Sequence, residues 1–242
     1  MIILAVDTSA KTASVGLSQD GIILGEFFIN AGLTHSQTFM PMIEYLLSSV
    51  GKSIGEVDAF AVTTGPGSFT GLRIGISSVK GMAFALDKKC ISVSSLEALA
   101  YNMVDKDCII SCCMDARRGQ VYNAIFKSDG NKIERLVDDR LIIAEDLSKE
   151  ISNYNKEVNF VGDGAEMCYN ITRQKFTNLK VHLASEHMLY SKASGVALAA
   201  EKACEKNEFL SACKLMPEYL RLSQAERELK KRNNKKDGDE VC

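Results

Sequence analysis

Residues 65–75 read Gly-Pro-Gly-Ser-Phe-Thr-Gly-Leu-Arg-Ile-Gly, and this glycine motif separates an apolar run at 58–64 from a helical pattern that continues to about Leu86. A strand, a glycine-rich turn and a helix in this order predict one β–α unit of an α/β protein. The spacing matches neither the Walker A motif, nor the dinucleotide fingerprint, nor the nucleophile elbow. Glycines at such a turn allow close backbone approach, either of a bound anion or of a tightly packed neighbouring element.

The sequence before the glycine motif predicts three strands and one helix. Apolar or alternating stretches at 2–6, 12–18 and 22–29 are joined by polar turns, one of them Asp20-Gly21. Apolar residues at helical spacing follow from about Thr34, and Gly51 ends that helix. Pro41 interrupts the pattern, so the helix either starts late or kinks there.

After the helix of the glycine motif, a strand at 91–93 and a helix at 96–104 complete the first half, and from about residue 106 the order repeats in a degenerate form. In this second half, strands are predicted at 108–114, 121–126 and 159–161, with one or two more at 132–143, and helices are predicted at 144–153 and 191–206. An aspartate follows the first strand of each half, at Asp7 and at Asp115. We therefore predict a duplicated α/β fold of mixed sheets flanked by helices, with a cleft between two similar subdomains.

The predicted boundaries divide the chain into four segments. Residues 1–105 form a first subdomain that holds the glycine motif, and residues 106–216 form a second, degenerate subdomain. Residues 217–228 return to the core. Residues 229–242 form a flexible tail, because their Lys, Arg, Asp and Glu side chains favour a solvated end.

Composition excludes several classes of protein. The 242 residues include 29 Lys and Arg against 31 Asp and Glu, so the net charge of −2 lacks the basic excess of a dedicated nucleic-acid binder. No apolar run is long enough for a membrane helix or a signal peptide, so we expect a cytoplasmic protein with no membrane contact. The 8 cysteines form no C-x-x-C pair and the 3 histidines have no zinc-ligand spacing, so we expect free thiols and no metal.

Five motifs together resemble the TsaB family, formerly called YeaZ, of bacterial tRNA threonylcarbamoyladenosine biosynthesis proteins. They are Asp7-Thr8-Ser9, Thr34-His35-Ser36, the glycine motif, the stretch from Asp115 to Tyr122, and Pro217-Glu218-Tyr219-Leu220-Arg221. The resemblance implies an actin-like fold (the ASKHA, or ribonuclease H-like, class) of two similar domains, as in sugar kinases and heat-shock ATPases.

The resemblance also implies a non-catalytic subunit that supports threonylcarbamoyl transfer to adenosine of tRNA. Its expected partner is the catalytic sister TsaD, whose metal site rests on a His-x-x-x-His motif. In this chain, the positions that correspond to the two histidines are occupied by Ser95 and Leu99, and neither side chain is a suitable metal ligand. Further expected partners are the ATPase TsaE, tRNA indirectly, and a second copy of the chain when it is alone. No cofactor is required, and ATP or ADP at the subunit interface is the candidate ligand.

Two sets of candidate residues follow. The partner interface is predicted on the helices near 36–50 and 70–86, at His35, Phe39, Met42, Ile43, Leu46, Leu72, Arg73, Ile76 and Val79. The same apolar stripes also fit helices that face their own sheet. A vestigial nucleotide or anion site is predicted at Asp7, Thr8, Ser9, Gly65, Gly67, Asp115, Gly162 and Gly164.

The alternative is an independent enzyme, either an actin-fold ATPase or a metallopeptidase-like protein. ATP hydrolysis needs glycine-rich loops in both halves, whereas the second half has Arg117 and Arg118 where small residues are needed, the mark of a degraded loop. A peptidase needs a nucleophile–base pair or a metal, and the scattered histidines supply neither.

Overall fold

The computed structural model describes residues 1–221, which form two mixed sheets of five strands each. The first sheet contains β1 (Ile2–Asp7), β2 (Ala13–Gln19), β3 (Ile22–Ile29), β4 (Ala59–Gly65) and β5 (Lys89–Ser94). The second sheet contains β6 (Ile109–Asp115), β7 (Gln120–Ser128), β8 (Ile133–Ile143), β9 (Val158–Val161) and β10 (Val181–Leu183). The strand orders are β3-β2-β1-β4-β5 and β10-β9-β6-β7-β8, which are the same order counted from opposite edges.

Helices follow the same strands in both halves. They are α1 (His35–Ser49), α2 (Phe69–Ala85), α3 (Ser95–Ala100), α4 (Ala144–Ile151), α5 (Ala165–Lys175) and α6 (Ala193–Glu205). Short 3₁₀ turns occupy Ile54–Glu56, Tyr101–Met103, Glu186–Met188 and Ala212–Lys214. The order β-β-β-α-β-α-β-α therefore occurs twice, and the predicted duplicated, actin-like α/β fold is confirmed.

The central strand of each sheet ends at the cleft between the halves. β1 pairs antiparallel with β2 and parallel with β4, and β6 pairs in the same way with β7 and β9. Asp7 and Asp115 are the last residues of these two central strands. The duplication therefore places both aspartates at equivalent positions of the two halves.

Apolar side chains divide the molecule into layers. The outer face of the first sheet packs against α1 and α2, in a core that includes Leu4, Leu17 and Phe60. Its inner face packs against α6, and α3 joins the inner faces of both sheets. The outer face of the second sheet packs against α4 and α5. α3 and α6 touch closely, since a Cβ at Gly195 would lie 2.2 Å from the Ala98 carbonyl oxygen.

The structure differs from the prediction at two helix starts. α1 begins at His35 and continues through Pro41, so the late start is wrong. Both Pro41 and Gln37 are exposed, so water can replace the hydrogen bond that proline removes. α2 begins at Phe69, because the Ser68 hydroxyl caps the helix by accepting from Gly71 N at 3.3 Å. The glycine loop therefore ends before Phe69, rather than at Gly75.

Two elements of the second half, α5 and β10, have no counterpart among the predicted elements. α5 is polar around most of its circumference, and only Ala165, Cys168 and Thr172 are buried. β10 spans 3 residues. Hydrophobic periodicity is weak in both, so the duplicated topology identifies them better than their own residues do.

The C-terminal part of the described chain returns to the first half. α6 lies beyond the boundary predicted at 105/106, yet Val196, Ala197 and Ala200 pack against the first sheet. The predicted tail at 229–242, and the part of the returning segment after Arg221, lie outside the described residues. No helix within residues 1–221 is long and apolar enough to span a membrane.

Candidate functional site

A cleft of about 860 Å³ lies between the two halves of the molecule. The loop between β1 and β2 lines one side, and the loop between β6 and β7 lines the other. The N-termini of α1 and α2 also open onto the cleft, through residues 34–36 and 67–71. Of the two aspartates predicted for a vestigial nucleotide site, Asp115 lines the cleft, whereas Asp7 is buried and is not among the lining residues.

The glycines of the motif pack closely against protein backbone, although residues 67–71 also line the cleft. A Cβ at Gly67 would lie 2.3 Å from the Ser9 carbonyl oxygen, and a Cβ at Gly71 would lie 2.0 Å from the Thr8 carbonyl oxygen. Two hydrogen bonds fix the contact: Ser68 N donates to Ser9 O at 2.7 Å, and the Thr8 hydroxyl donates to Gly71 O at 2.8 Å. The sequence allowed either a bound anion or a packed neighbouring element beside these glycines, and the structure shows a packed element beside Gly67 and Gly71.

Gly65 makes a second close contact, with the segment formed by residues 217–221. We call this segment the strap. The φ of Gly65 is +138°, a conformation that favours glycine, and a Cβ there would lie 2.3 Å from the Glu218 carbonyl oxygen. Glu218 N also donates to Thr64 O at 2.8 Å. The strap therefore fills the space beside the glycine motif.

The second half repeats this arrangement. Gly162 has φ +119°, and a Cβ there would lie 2.0 Å from the Cys113 carbonyl oxygen. A Cβ at Gly164 would lie 3.0 Å from Asp115 N. In both halves, therefore, the Cβ side of these glycines faces protein backbone.

Hydrogen bonds from the backbone and from neighbouring side chains hold the aspartates in and beside the cleft. Asp7 is buried, and its Oδ1 accepts from Ser9 N and from the Thr63 hydroxyl, each at 2.8 Å. Asp115 is exposed, and its Oδ1 accepts from Arg117 N at 2.7 Å. Asp163 accepts from Asp115 N at 2.9 Å, and desolvation in the cleft, together with the Asp115 charge, raises the pKa of Asp163.

Three cations line the cleft: Lys11, Arg117 and Arg221. The Lys11 Nζ lies 4.9 Å from the centre of the Tyr190 ring, and a hydrogen bond to Tyr190 raises the pKa of Lys11. Arg117 adopts φ +63° and Arg118 adopts φ +60°, so both arginines stand where glycine would fit without strain. Sequence reasoning missed Lys11 and Arg221 as cleft residues, since only tertiary structure brings them to Arg117.

The structure corrects the predicted partner interface. Its seven apolar members point into the core of the first half rather than to solvent, and each is at most 4 % exposed: Phe39, Met42, Ile43, Leu46, Leu72, Ile76 and Val79. His35 is half-buried, with its Nε2 2.9 Å from the Ala10 carbonyl oxygen. Arg73 is exposed. The apolar stripes of both helices therefore face their own sheet, which is the alternative that the sequence left open.

The opposite faces of the same two helices are exposed and lie on one side of the molecule. α1 presents Met40 and Tyr45, and Tyr45 is 69 % exposed. α2 presents an exposed stripe at helical spacing: Thr70, Arg73, Ser77, Gly81 and Phe84. A Cβ added at Gly81 would meet no atom within 4 Å, so this part of the stripe is open. We call these residues of α1 and α2 the outer-helix face.

The places expected for metal-binding histidines lie inside the molecule. Ser95 is 0 % exposed, and Leu99 is 1 % exposed and packs in the core of the second sheet. Neither side chain offers the imidazole that such a site needs. Within residues 1–221 no group of three His, Cys, Asp or Glu side chains is placed to hold a metal ion.

Comparisons with known proteins agree with the resemblance. Residues 30–229 match the family model described as TsaD, tRNA N6-adenosine threonylcarbamoyltransferase. The tRNA threonylcarbamoyladenosine biosynthesis protein TsaB of Bacillus subtilis is 31% identical over 227 residues, which cover 93% of this chain and 96% of the relative. TsaB of Escherichia coli is 37% identical over 135 residues, which cover 55% of this chain and 58% of the relative.

Solved structures agree on the fold. YeaZ from Pseudomonas aeruginosa superposes with a TM-score of 0.77 at 26% identity, covering 90% of this chain and 99% of the other. A second Pseudomonas aeruginosa structure, described as similar to peptidase YeaZ, gives a TM-score of 0.79 at 27% identity and covers 91% and 99%. With its fold, its motifs and its relatives in agreement, the chain belongs to the TsaB (YeaZ) family of tRNA threonylcarbamoyladenosine biosynthesis proteins.

Proposed function

We propose that the protein is a non-catalytic subunit that supports threonylcarbamoyl transfer to adenosine of tRNA by pairing with the catalytic subunit TsaD. Membership of the TsaB family and the match to the TsaD family model support a role in threonylcarbamoyladenosine formation. The partner is then a protein of similar fold. Contact with tRNA is made through the complex.

The chemistry of Ser95 and Leu99 supports a non-catalytic role. The two positions carry a buried hydroxyl and a buried hydrocarbon, which cannot replace two imidazole ligands. The glycines of the motif likewise pack closely against the loop after β1 and against the strap. These features disfavour the alternatives of a metallopeptidase-like enzyme and an independent ATPase.

The outer-helix face is the observation that carries the pairing proposal. Small residues at Ser77 and Gly81 leave a shallow surface on α2, and exposed aromatic rings at Tyr45 and Phe84 flank it. Small residues let another helix approach closely, and tyrosine is enriched among the few residues that dominate the binding energy of protein interfaces. We therefore place the catalytic subunit on α1 and α2, as the sequence predicted, but on the face opposite to the predicted apolar residues.

The test is a titration of the catalytic subunit with three variants. Gly81→Arg places a long side chain on the outer-helix face and abolishes pairing, while Gly81→Ala keeps the fold and measures the effect of a single methyl group. Asn170→Arg is the matched control, because Asn170 is an exposed position on α5, away from that face. Equal affinity for Gly81→Arg and Asn170→Arg would place the interface elsewhere.

The same face is available to a second copy of the chain when the catalytic subunit is absent. We propose that the chain alone forms a homodimer through this face, and that TsaD and the second copy compete for it. The ATPase TsaE then joins the assembled complex. ATP or ADP, where it takes part, binds at the subunit interface, since the glycines of this chain's motif pack closely against protein backbone.

A further inference from the structure

Arg73 on the outer-helix face is held in one orientation by aromatic side chains. Its Nε donates to the Tyr219 hydroxyl at 2.9 Å, and its guanidinium carbon lies 5.8 Å from the centre of the Tyr219 ring. That ring stacks on Phe69 with centroids 4.4 Å apart and an interplanar angle of 22°. One N–H of the guanidinium is thus used for positioning, and the other four remain for a ligand.

The strap fixes Tyr219 from both sides. Glu218 N donates to Thr64 O at 2.8 Å in the first half, and the Arg221 guanidinium donates to the Ala116 carbonyl in the second half. Tyr219 lies between these two anchors. An arginine that is oriented before binding loses less side-chain entropy when its partner arrives.

Among the described residues, the depression that Arg73 lines is rich in hydroxyl groups and has no carboxylate in its lining. A depression of about 540 Å³ lies between the N-termini of α1 and α2, and Arg73 lines it together with Ser36, Phe69, Thr70, Ile74, Ser77 and Ser78. No carboxylate of residues 1–221 forms an ion pair with Arg73. The guanidinium charge is therefore left without a counter-charge, next to four hydroxyl groups that can donate hydrogen bonds.

We infer that Arg73 is the anchor for a carboxylate of the partner subunit, from an aspartate or glutamate side chain that enters the depression between α1 and α2. The four free N–H groups match the two oxygens of a carboxylate in a bidentate pair, and nearby hydroxyls complete its hydrogen bonds. Tyr219 is a positioning residue that acts through Arg73. The inference rests on the proposed pairing with the catalytic subunit, and names the chemistry of the contact.

The test measures the affinity for the catalytic subunit at several salt concentrations. Arg73→Gln weakens binding by about 10- to 100-fold, the range for loss of a charged hydrogen-bonded pair, and flattens the salt dependence. Tyr219→Phe keeps the ring stacked on Phe69 and removes only the hydroxyl, so binding weakens by about 3- to 10-fold. Neither variant changes the circular dichroism spectrum or lowers the melting temperature by more than about 2 °C, because Arg73 and the Tyr219 hydroxyl are at the surface.

The chain offers a matched control pair on α5. Arg173 donates to the Tyr169 hydroxyl at 3.0 Å, and its guanidinium carbon lies 5.9 Å from that ring, yet this pair is far from the outer-helix face. Arg173→Gln and Tyr169→Phe therefore leave the affinity and its salt dependence unchanged. Equal effects of Arg73→Gln and Arg173→Gln would show a non-specific effect of charge and overturn the inference.

Two further outcomes contradict the inference in different ways. If the wild-type chain pairs and Arg73→Gln pairs equally well, the carboxylate contact is wrong while the proposed function stands. If Arg73→Gln keeps its pairing but loses binding of inorganic phosphate in NMR titrations, the site takes a phosphate rather than a carboxylate. A wild-type chain that does not bind the catalytic subunit at all refutes the proposed function, and the carboxylate contact with it.

Discussion

The same substitution at two glycines of α2 should have opposite effects on stability. Gly71→Ala adds a methyl group 2.0 Å from the Thr8 carbonyl oxygen, whereas Gly81→Ala adds it where no atom lies within 4 Å. Both positions are inside the same helix, so the intrinsic gain of alanine over glycine, about 1 kcal/mol, is common to both. The difference between the variants therefore measures the packing of the loop after β1 against the glycine motif.

The expected magnitudes follow from that geometry. An ordinary carbon–oxygen contact needs more than 3 Å, so Gly71→Ala must push the Thr8 backbone away and strain the hydrogen bond between the Thr8 hydroxyl and Gly71 O. Overpacking of this kind costs about 3 kcal/mol, and after the alanine gain of about 1 kcal/mol the net loss of about 2 kcal/mol lowers the melting temperature by about 4 to 8 °C in a protein of this size. Gly81→Ala, in contrast, raises it by about 2 to 4 °C.

Thermal unfolding followed by circular dichroism is the assay, with the wild-type chain measured under the same conditions. Gly81→Ala is the internal control, since it tests whether alanine is tolerated in α2 at all. An unchanged or higher melting temperature for Gly71→Ala would refute the close packing at the glycine motif. The motif would then be free to hold a ligand, as the anion-binding interpretation requires.

Two more predictions concern the core and the cleft. Leu72→Asp buries a carboxylate in the core between α2 and the first sheet and costs about 4 kcal/mol or more, so the melting temperature should fall by about 8 to 16 °C or more. An unchanged melting temperature for Leu72→Asp would indicate that Leu72 lies in the interface rather than in the core. Leu72→Met is its control and should cost less than about 1.5 kcal/mol. Because the folded state raises the pKa of Asp163, ionised Asp163 destabilises the fold once the pH exceeds 3.8, the ordinary pKa of aspartate. Asp163→Asn should therefore raise the melting temperature at pH 7, and melting curves across pH should show the gain disappear below about pH 4; a gain that persists in acid would contradict this origin.

The duplicated fold could be predicted because its signals are local. Apolar runs followed by Asp7 and Asp115, a turn at Asp20-Gly21 and the glycine motif are each visible within a few residues of sequence. α5 and β10 could not be predicted in this way, because α5 buries only three side chains and β10 spans 3 residues. They are recognised only from the structure, in which β10 pairs parallel with β9 and α5 connects the two strands.

The candidate site was harder to predict, for a physical reason. A helical stripe shows which residues share a face, but not whether that face meets a sheet or a partner, and the stripe with Phe39 and Leu72 meets the sheet. Small residues such as Gly81 carry no hydropathy signal, although they leave the exposed face open. The contact between Arg73 and Tyr219 joins residues 146 positions apart, so only tertiary structure shows it.

The central claim is tested most directly by reconstituting threonylcarbamoyl transfer to tRNA from purified components. Transfer of a labelled threonylcarbamoyl group from an activated donor to tRNA is measured with the catalytic subunit alone, with this chain alone, and with both together in the presence of TsaE and ATP. A supporting subunit predicts no transfer by this chain alone and a large increase when it joins the catalytic subunit, lost again with Gly81→Arg. Transfer by this chain alone, or a rate for the catalytic subunit that does not depend on this chain, would contradict the account.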